Sequence, residues 1–335
     1  MSPPALLALL LCAAVAYDFV NGFHDSANII ATMIASNVMS VRGAMALAAA
    51  GSLAGPFIVG LAVAHTLGAE VVSPAGLSIA VVLAALAAAT AWNLVTWGLA
   101  IPVSSSHALV GGLVGAAWTE GGWAVIQPAG LLKVAAALVF SPLAGFCAAV
   151  VAMHALLWLL RDATPRANAG LAAGQVVSAT ALAIGNGAND AQKTVGLIAM
   201  GLVALGFNAS FTVPWWSIVL SAASLALGTA VGGARIARTL GSRFYRVRPI
   251  HGFASEAASA AVILGASVAG GPVSSTQVMS LAIVGAGAAE RRSKVRWGLL
   301  MEIGVAWLVT VPASALAALP LHAAIAAWIT AGSAS

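Results

Sequence analysis

Two short stretches hold most of the polar chemistry available to this chain of 335 residues. The first is Asn21-Gly22-Phe23-His24-Asp25-Ser26-Ala27-Asn28, which sets a carboxylate, an imidazole and two carboxamides between apolar runs. The second, Asn186-Gly187-Ala188-Asn189-Asp190-Ala191-Gln192-Lys193, repeats the pattern and adds an ammonium. Two further stretches, Pro102-Val103-Ser104-Ser105-Ser106 and Pro272-Val273-Ser274-Ser275-Thr276, place hydroxyls behind a proline. Carboxylates in an apolar setting, Asp25 and Asp190 here, suit a cation or a proton, because a charge in hydrocarbon is costly unless it has a partner. Proline fits the first turn of a helix, and the hydroxyls after it cap or line the helix start. Free N–H groups and the positive end of the dipole at such a start suit a phosphate-like anion. An anion bound beside a cation is the chemistry of coupled transport. Two other classes also place polar groups at such depth: an ion or solute channel, and an intramembrane enzyme using Asp25 and Asp190 as a carboxylate pair.

The elements that must hold these groups are membrane helices. With 61% hydrophobic and 7% charged residues and a mean hydropathy of +1.02, the chain lacks the charge to cover a soluble domain of its size. Runs such as Val41 to Leu67, Pro74 to Leu99, Val134 to Leu160, Val213 to Val231 and Val295 to Leu319 approach or exceed the span an α-helix needs, about 20 residues. They lack period-2 alternation, which disfavours a β-barrel. The apolar start of the chain lacks a basic region and runs straight into the first polar stretch, so it reads as half of a working helix rather than a leader. Cys12 and Cys147 lie inside apolar runs and form no disulfide framework or metal cluster. The net charge of +5 sits in short clusters between spans, which excludes a nucleic-acid surface. No nucleotide-binding loop is present, so hydrolysis is not the energy source.

The polar stretches recur in order, from 21 to 186 and from 102 to 272, offsets of 165 and 170 residues. The chain therefore reads as a duplication, with repeats over residues 1–165 and 166–335. Lys and Arg collect at Arg42, at Arg161 and Arg166, from Arg235 to Arg248, and from Arg291 to Arg296. Loops around Glu70, Glu120 and Phe207 to Thr212 carry none, so the clusters are expected inside and these loops outside. Three net crossings and one hairpin per repeat make the second copy inverted, the plan of secondary transporters. The expected fold is all-α and polytopic, with about 10–12 membrane helices, re-entrant or hairpin segments, and helices broken at Asn21-Gly22 and Asn186-Gly187.

"GFHDSANIIAT", "WNLVTW" followed by "IPVSSSHALVGG", "GNGANDAQKTVG" and "GPVSSTQV" resemble the paired signatures of the inorganic phosphate transporter (PiT) family, over nearly the whole chain and in the expected order. The forms HDSAN and ANDAQK resemble its bacterial low-affinity members. The resemblance implies a symporter of the bacterial cytoplasmic membrane that takes up inorganic phosphate by alternating access. Coupling in the family is to Na+ in some members and to H+ in others, with metal-phosphate as substrate in the latter, and the bacterial forms point toward H+. A sulfate-transporting branch differs where this chain has Asp25 and Asp190. Carried onto this sequence, the substrate-binding set is Asn28, Ser104, Ser105, Ser106, Asn189, Lys193, Ser274, Ser275 and Thr276. The coupling-ion set is Asp25 and Asp190, which would also hold Na+, with Asn21, Asn186 and Glu256. The two halves differ, since Lys193 aligns with Asn28 and Gln277 with His107, so which half meets the anion is open. Asp18 aligns with Ala183, and both a structural and an ion-binding reading of it stand. His24 and His107 are read equally as proton relays or as neutral hydrogen-bonded side chains. The expected partners are phosphate, membrane lipid and a second copy of the chain; no enzymatic cofactor is expected.

Overall fold

The computed structural model describes residues 2–99, 101, 103–232 and 247–333. Among the described residues there are eleven α-helices. The first half carries α1 (Pro3–Ala35), α2 (Val41–Val59), α3 (Ala62–Ala69), α4 (Ile79–Gly98), α5 (Ser105–Gly121) and α6 (Pro128–Leu159). The second carries α7 (Ala167–Ala204), α8 (Trp215–Val231), α9 (Pro249–Val268), α10 (Ser275–Arg291) and α11 (Trp297–Ser333). Six of these are long and apolar enough to cross a membrane, and α8 is a shorter apolar helix of 17 residues, so the chain is a multi-pass membrane protein. Local signals set the boundaries. Ser40 and Ser78 cap α2 and α4 by accepting from the backbone of Gly43 and Val81. Prolines open α1, α6 and α9, where a missing N–H costs nothing. Between α2 and α3 the chain turns at Gly60, whose φ of +88° favours glycine.

One sequence-based expectation is corrected. The two long helices that carry Asn21-Gly22 and Asn186-Gly187 are not broken there: α1 runs for 33 residues and α7 for 38 without interruption. The glycines serve helix contact instead. A Cβ at Gly22 would lie 2.1 Å from the carbonyl oxygen of Leu225 on α8, and one at Gly187 would lie 2.3 Å from that of Ser52 on α2. Small residues at helix interfaces let backbones approach closely, and here they do so without unwinding. At 1.5 Å per residue α1 and α7 each exceed the roughly 30 Å hydrocarbon thickness, so both tilt or extend beyond it.

Packing crosses between the halves. α1 lies against α8 and α4, and α7 against α2 and α9; α11 packs on α4 and α5, and α6 on α9 and α10. The pairs α4–α5 and α9–α10 are hairpins, and the end of each connection is buried in the bundle: Val103 and Ser104 ahead of α5, and Pro272, Val273 and Ser274 ahead of α10. Of the basic run Arg235 to Arg248, Arg235, Arg238, Arg243 and Arg246 lie outside the described residues, while Arg248 pairs with Glu290 at the end of α10.

Candidate functional site

The hairpin turns deliver two helix starts to one place. Ser104 precedes α5 and accepts from the backbone of His107 at 3.2 Å; Ser274 precedes α10 and accepts from Gln277 at 3.3 Å. These are side-chain N-caps, as the sequence led one to expect. The proline is placed differently: Pro272 stands two residues ahead of the cap rather than in the first turn, because Ser274 itself takes the capping role, and Pro102 lies outside the described residues. The next residues, Ser105, Ser106, Ser275 and Thr276, are free of that duty and face α1 and α7.

Asp25 on α1 gathers them. Its Oδ2 accepts from Ser105 Oγ at 3.0 Å and from Ser275 Oγ at 3.3 Å, and its Oδ1 accepts from Thr276 Oγ1 at 2.9 Å. His24 Nδ1 lies 3.2 Å from the same Oδ1. Asn28, one turn along α1, donates to Thr276 Oγ1 at 2.9 Å. Beside this set stands Lys193 of α7, which is 1% exposed and donates to Asp190 Oδ1 at 2.6 Å, to Ser106 Oγ at 2.5 Å and to the Val273 carbonyl at 2.9 Å. Ser106 in turn donates to the Val273 carbonyl at 2.8 Å. The residues divided by sequence into two half-sites thus form one centre, in which each half supplies donors to the other. Two carboxylates, one ammonium and one imidazole, all buried, share that centre.

Not every predicted residue joins it. Asn189 spends its amide on the hairpin turn, donating to Ser267 Oγ at 2.8 Å and the Gly271 carbonyl at 3.2 Å while accepting from Val273 N at 3.0 Å. Ser104 and Ser274 hold backbone, as described. Asn21 and Asn186 lie one turn before Asp25 and Asp190; both amide atoms of Asn21 and the Oδ1 of Asn186 are buried without a hydrogen-bond partner. Glu256 on α9 belongs to a separate network, accepting from Thr32 at 2.6 Å, Gln175 at 3.0 Å and Ser178 at 2.8 Å. His107 and Gln277 border an apolar crevice of about 490 Å³ between α5, α6, α10 and α11.

Sequence reasoning missed several buried polar contacts in and around the centre. Tyr17 donates to the Ser105 carbonyl at 3.2 Å. Gln192, whose Oε1 accepts from Val63 N at 2.9 Å, holds the start of α3. Thr194 donates to Asp18 at 2.5 Å. Asp18, for which a structural and an ion-binding reading both stood, precedes Asn21 by three positions and Asp25 by seven, which puts all three on one face of α1.

The model of the phosphate transporter family matches residues 21–173 and 161–318 of the chain. A protein of Rhizobium meliloti (strain 1021) named "Probable low-affinity inorganic phosphate transporter" is 44% identical over 93% of this chain and 94% of its own length. One of the same name from Bacillus subtilis (strain 168) is 37% identical over 92% and 94%. A solved structure titled "The sodium-dependent phosphate transporter" superposes with a TM-score of 0.88 at 20% identity, covering 96% of this chain and 99% of that one, which shows a shared fold. These relatives are named as transporters, and the reading as an intramembrane enzyme is set aside. Matched over most of its length by the family model and by close relatives, the chain belongs to the phosphate transporter family.

Proposed function

We propose that the chain takes up inorganic phosphate across the bacterial cytoplasmic membrane as a secondary symporter, with H+ or Na+ as the coupling cation. The observation that carries the reading is the donor set around Asp25: hydroxyls from two helix starts, Ser105 on one and Ser275 and Thr276 on the other, converge on a buried anion beside Lys193. The same donors suit a phosphate oxygen, for which free N–H groups and the dipole of a helix start are favourable. The names of the relatives support phosphate over another tetrahedral oxyanion.

Coupling follows from competition for those donors. While Asp25 is an uncompensated carboxylate it holds the hydroxyls itself and repels a phosphate. A cation at Asp25, or a proton on it, releases the hydroxyls and removes the repulsion, so the cation must come with the anion. Asp190 has its charge met by Lys193 on one oxygen, and its Oδ2 has no partner. Among the described residues no cluster of three or more His, Cys, Asp or Glu would hold a resident metal.

The proposed repeats, residues 1–165 and 166–335, are inverted copies that rock about this centre in alternating access. Support comes from the packing: exchanging α1 with α7, α2 with α8, α4 with α9, α5 with α10 and α6 with α11 turns each of the inter-helix contacts given above into another of them. The test is uptake of labelled phosphate into proteoliposomes under separately imposed Na+ and pH gradients. Accumulation against a phosphate gradient is expected with one of them, and is expected to vanish in Asp25→Asn. Equilibration without accumulation under either gradient would make the protein a channel.

A further inference from the structure

Asp18 is fully buried on α1, seven residues before Asp25, and among the described residues it shares no hydrogen bond with the Asp25 centre, although the charge of Asp190 reaches it. One oxygen, Oδ1, accepts from Thr194 of α7 at 2.5 Å; the other, Oδ2, has no hydrogen-bond partner. The hydroxyl of Ser221 on α8 lies beside the same carboxylate without making a sound hydrogen bond to it, and it too is buried and unpartnered. One turn along the same face is Asn21, whose two amide atoms are both buried and unpartnered. Among the described residues no Lys, Arg or His is ion-paired with Asp18. Lys193, the neighbour of Thr194 in sequence, is engaged by Asp190, Ser106 and Val273. A buried carboxylate with one free oxygen, beside an orphaned hydroxyl and one helical turn from an orphaned carboxamide, is an arrangement that hydrocarbon and packing alone do not tolerate.

We propose that Asp18, Thr194, Ser221 and Asn21 form a binding site for one dehydrated alkali cation of the sodium type, separate from the Asp25 centre. The ligand class follows from the donors. All are oxygens, which select hard cations over the softer metals that prefer nitrogen or sulfur. The site carries a single negative charge, so a monovalent ion neutralises it, whereas a divalent ion would leave a buried positive excess. Asn21 thereby acquires a partner that the bundle does not give it. Because Ala183 aligns with Asp18, the duplicated half has no equivalent carboxylate, and each chain holds one such site.

Its placement gives it a use. Asp18 precedes Asp25 by seven residues on α1, about 10 Å at 1.5 Å per residue, toward the end of α1 that the charge distribution puts outside. Thr194 is likewise beyond Asp190, toward the same side in the inverted arrangement. A cation entering from outside meets Asp18 before the central carboxylates. This use rests on the transport reading above; the site itself does not.

The experiment is equilibrium binding of radiolabelled sodium to the purified full chain in detergent, without phosphate, followed by scintillation proximity. Wild type and the Asp25→Asn variant, in which the Lys193–Asp190 pair is intact, are both expected to bind sodium saturably. Asp18→Asn added to either is expected to abolish the site, and Ser221→Ala or Thr194→Val to weaken it about tenfold, on the order of 1.4 kcal/mol. Should Asp18→Asn fail to fold, the two hydroxyl variants decide the matter. Sodium binding that is absent from wild type, that disappears in the Asp25→Asn variant, or that is unchanged by the Asp18 or hydroxyl substitutions overturns the proposal, and a carboxyl that only exchanges protons would show itself in the first of these ways. Failure here leaves phosphate uptake standing, while sodium binding at Asp18 in a protein that never accumulates phosphate would overturn the transport reading alone.

Discussion

Lys193→Met tests whether the buried ion pair of the centre acts as a unit. The ammonium of Lys193 is 1% exposed and reaches Asp190 at 2.6 Å, Ser106 at 2.5 Å and Val273 at 2.9 Å. Methionine keeps most of the volume and removes the charge, so packing changes little while Asp190 is left with neither oxygen partnered, since its Oδ2 has no partner even in the wild type. Removing one member of a buried pair costs about 3–5 kcal/mol, because the remaining charge is uncompensated. Asp190→Asn alone leaves an ammonium with only the neutral oxygens of Ser106 and Val273, and a loss of the same order is expected. The double variant Lys193→Met/Asp190→Asn removes both charges together, and neutral replacement of a buried pair is often close to neutral in stability. The expected double-mutant cycle therefore shows the double variant more stable than either single one, with a coupling energy larger than either single loss, about 6–10 kcal/mol when two losses of about 3–5 kcal/mol disappear in a near-neutral double variant. The assay is the unfolding midpoint of each purified variant in one detergent, read by fluorescence. Additive losses, with the double variant the least stable of the three, would refute the argument and mean that Lys193 is held by Ser106 and Val273 rather than by charge.

Ser105→Ala and Ser275→Ala each remove a hydroxyl that the proposed site offers to the anion; a hydrogen bond to a charged group contributes about 1.5–3 kcal/mol, so the apparent affinity for phosphate is expected to fall roughly tenfold to a hundredfold in uptake assays. Affinity unchanged from wild type in both variants, with normal folding, would confine these serines to helix packing. Gly22→Leu and Gly187→Leu are expected to abolish the monodisperse peak in size-exclusion chromatography, because the new Cβ would meet a backbone oxygen at 2.1 or 2.3 Å and backbone does not move aside. Gly98→Ala, with nothing within 4 Å of its Cβ, is the tolerated control. Single cysteines replacing Glu70 and Glu120 are expected to react with an impermeant thiol reagent on intact cells, and those replacing Asp162 and Ser293 only after permeabilisation; reaction of all four from one side would end the inverted-repeat reading.

What the sequence determined by itself was the solvent and the chemistry. So little charge on so long a chain leaves only a bilayer to cover it, and hydroxyls ahead of an apolar run make N-caps wherever that run forms a helix, as Ser104 and Ser274 do. These are local or compositional facts, and they survive any arrangement of the helices. The use of each polar side chain was decided elsewhere. Asp25 takes its donors from Ser275 and Thr276, 250 and 251 positions away, and Glu256 takes one from Thr32 across 224. Asn189 looked like a ligand and became the clamp on the second hairpin turn; Gln192 looked incidental and holds the start of α3. Asn21-Gly22 read as a break, yet a glycine in a helix either frees its own backbone or admits another one, and only the position of the Leu225 carbonyl on α8 selects between the two. A hydrogen bond or a close approach is a property of two positions, and the chain supplies the second only when its helices have packed.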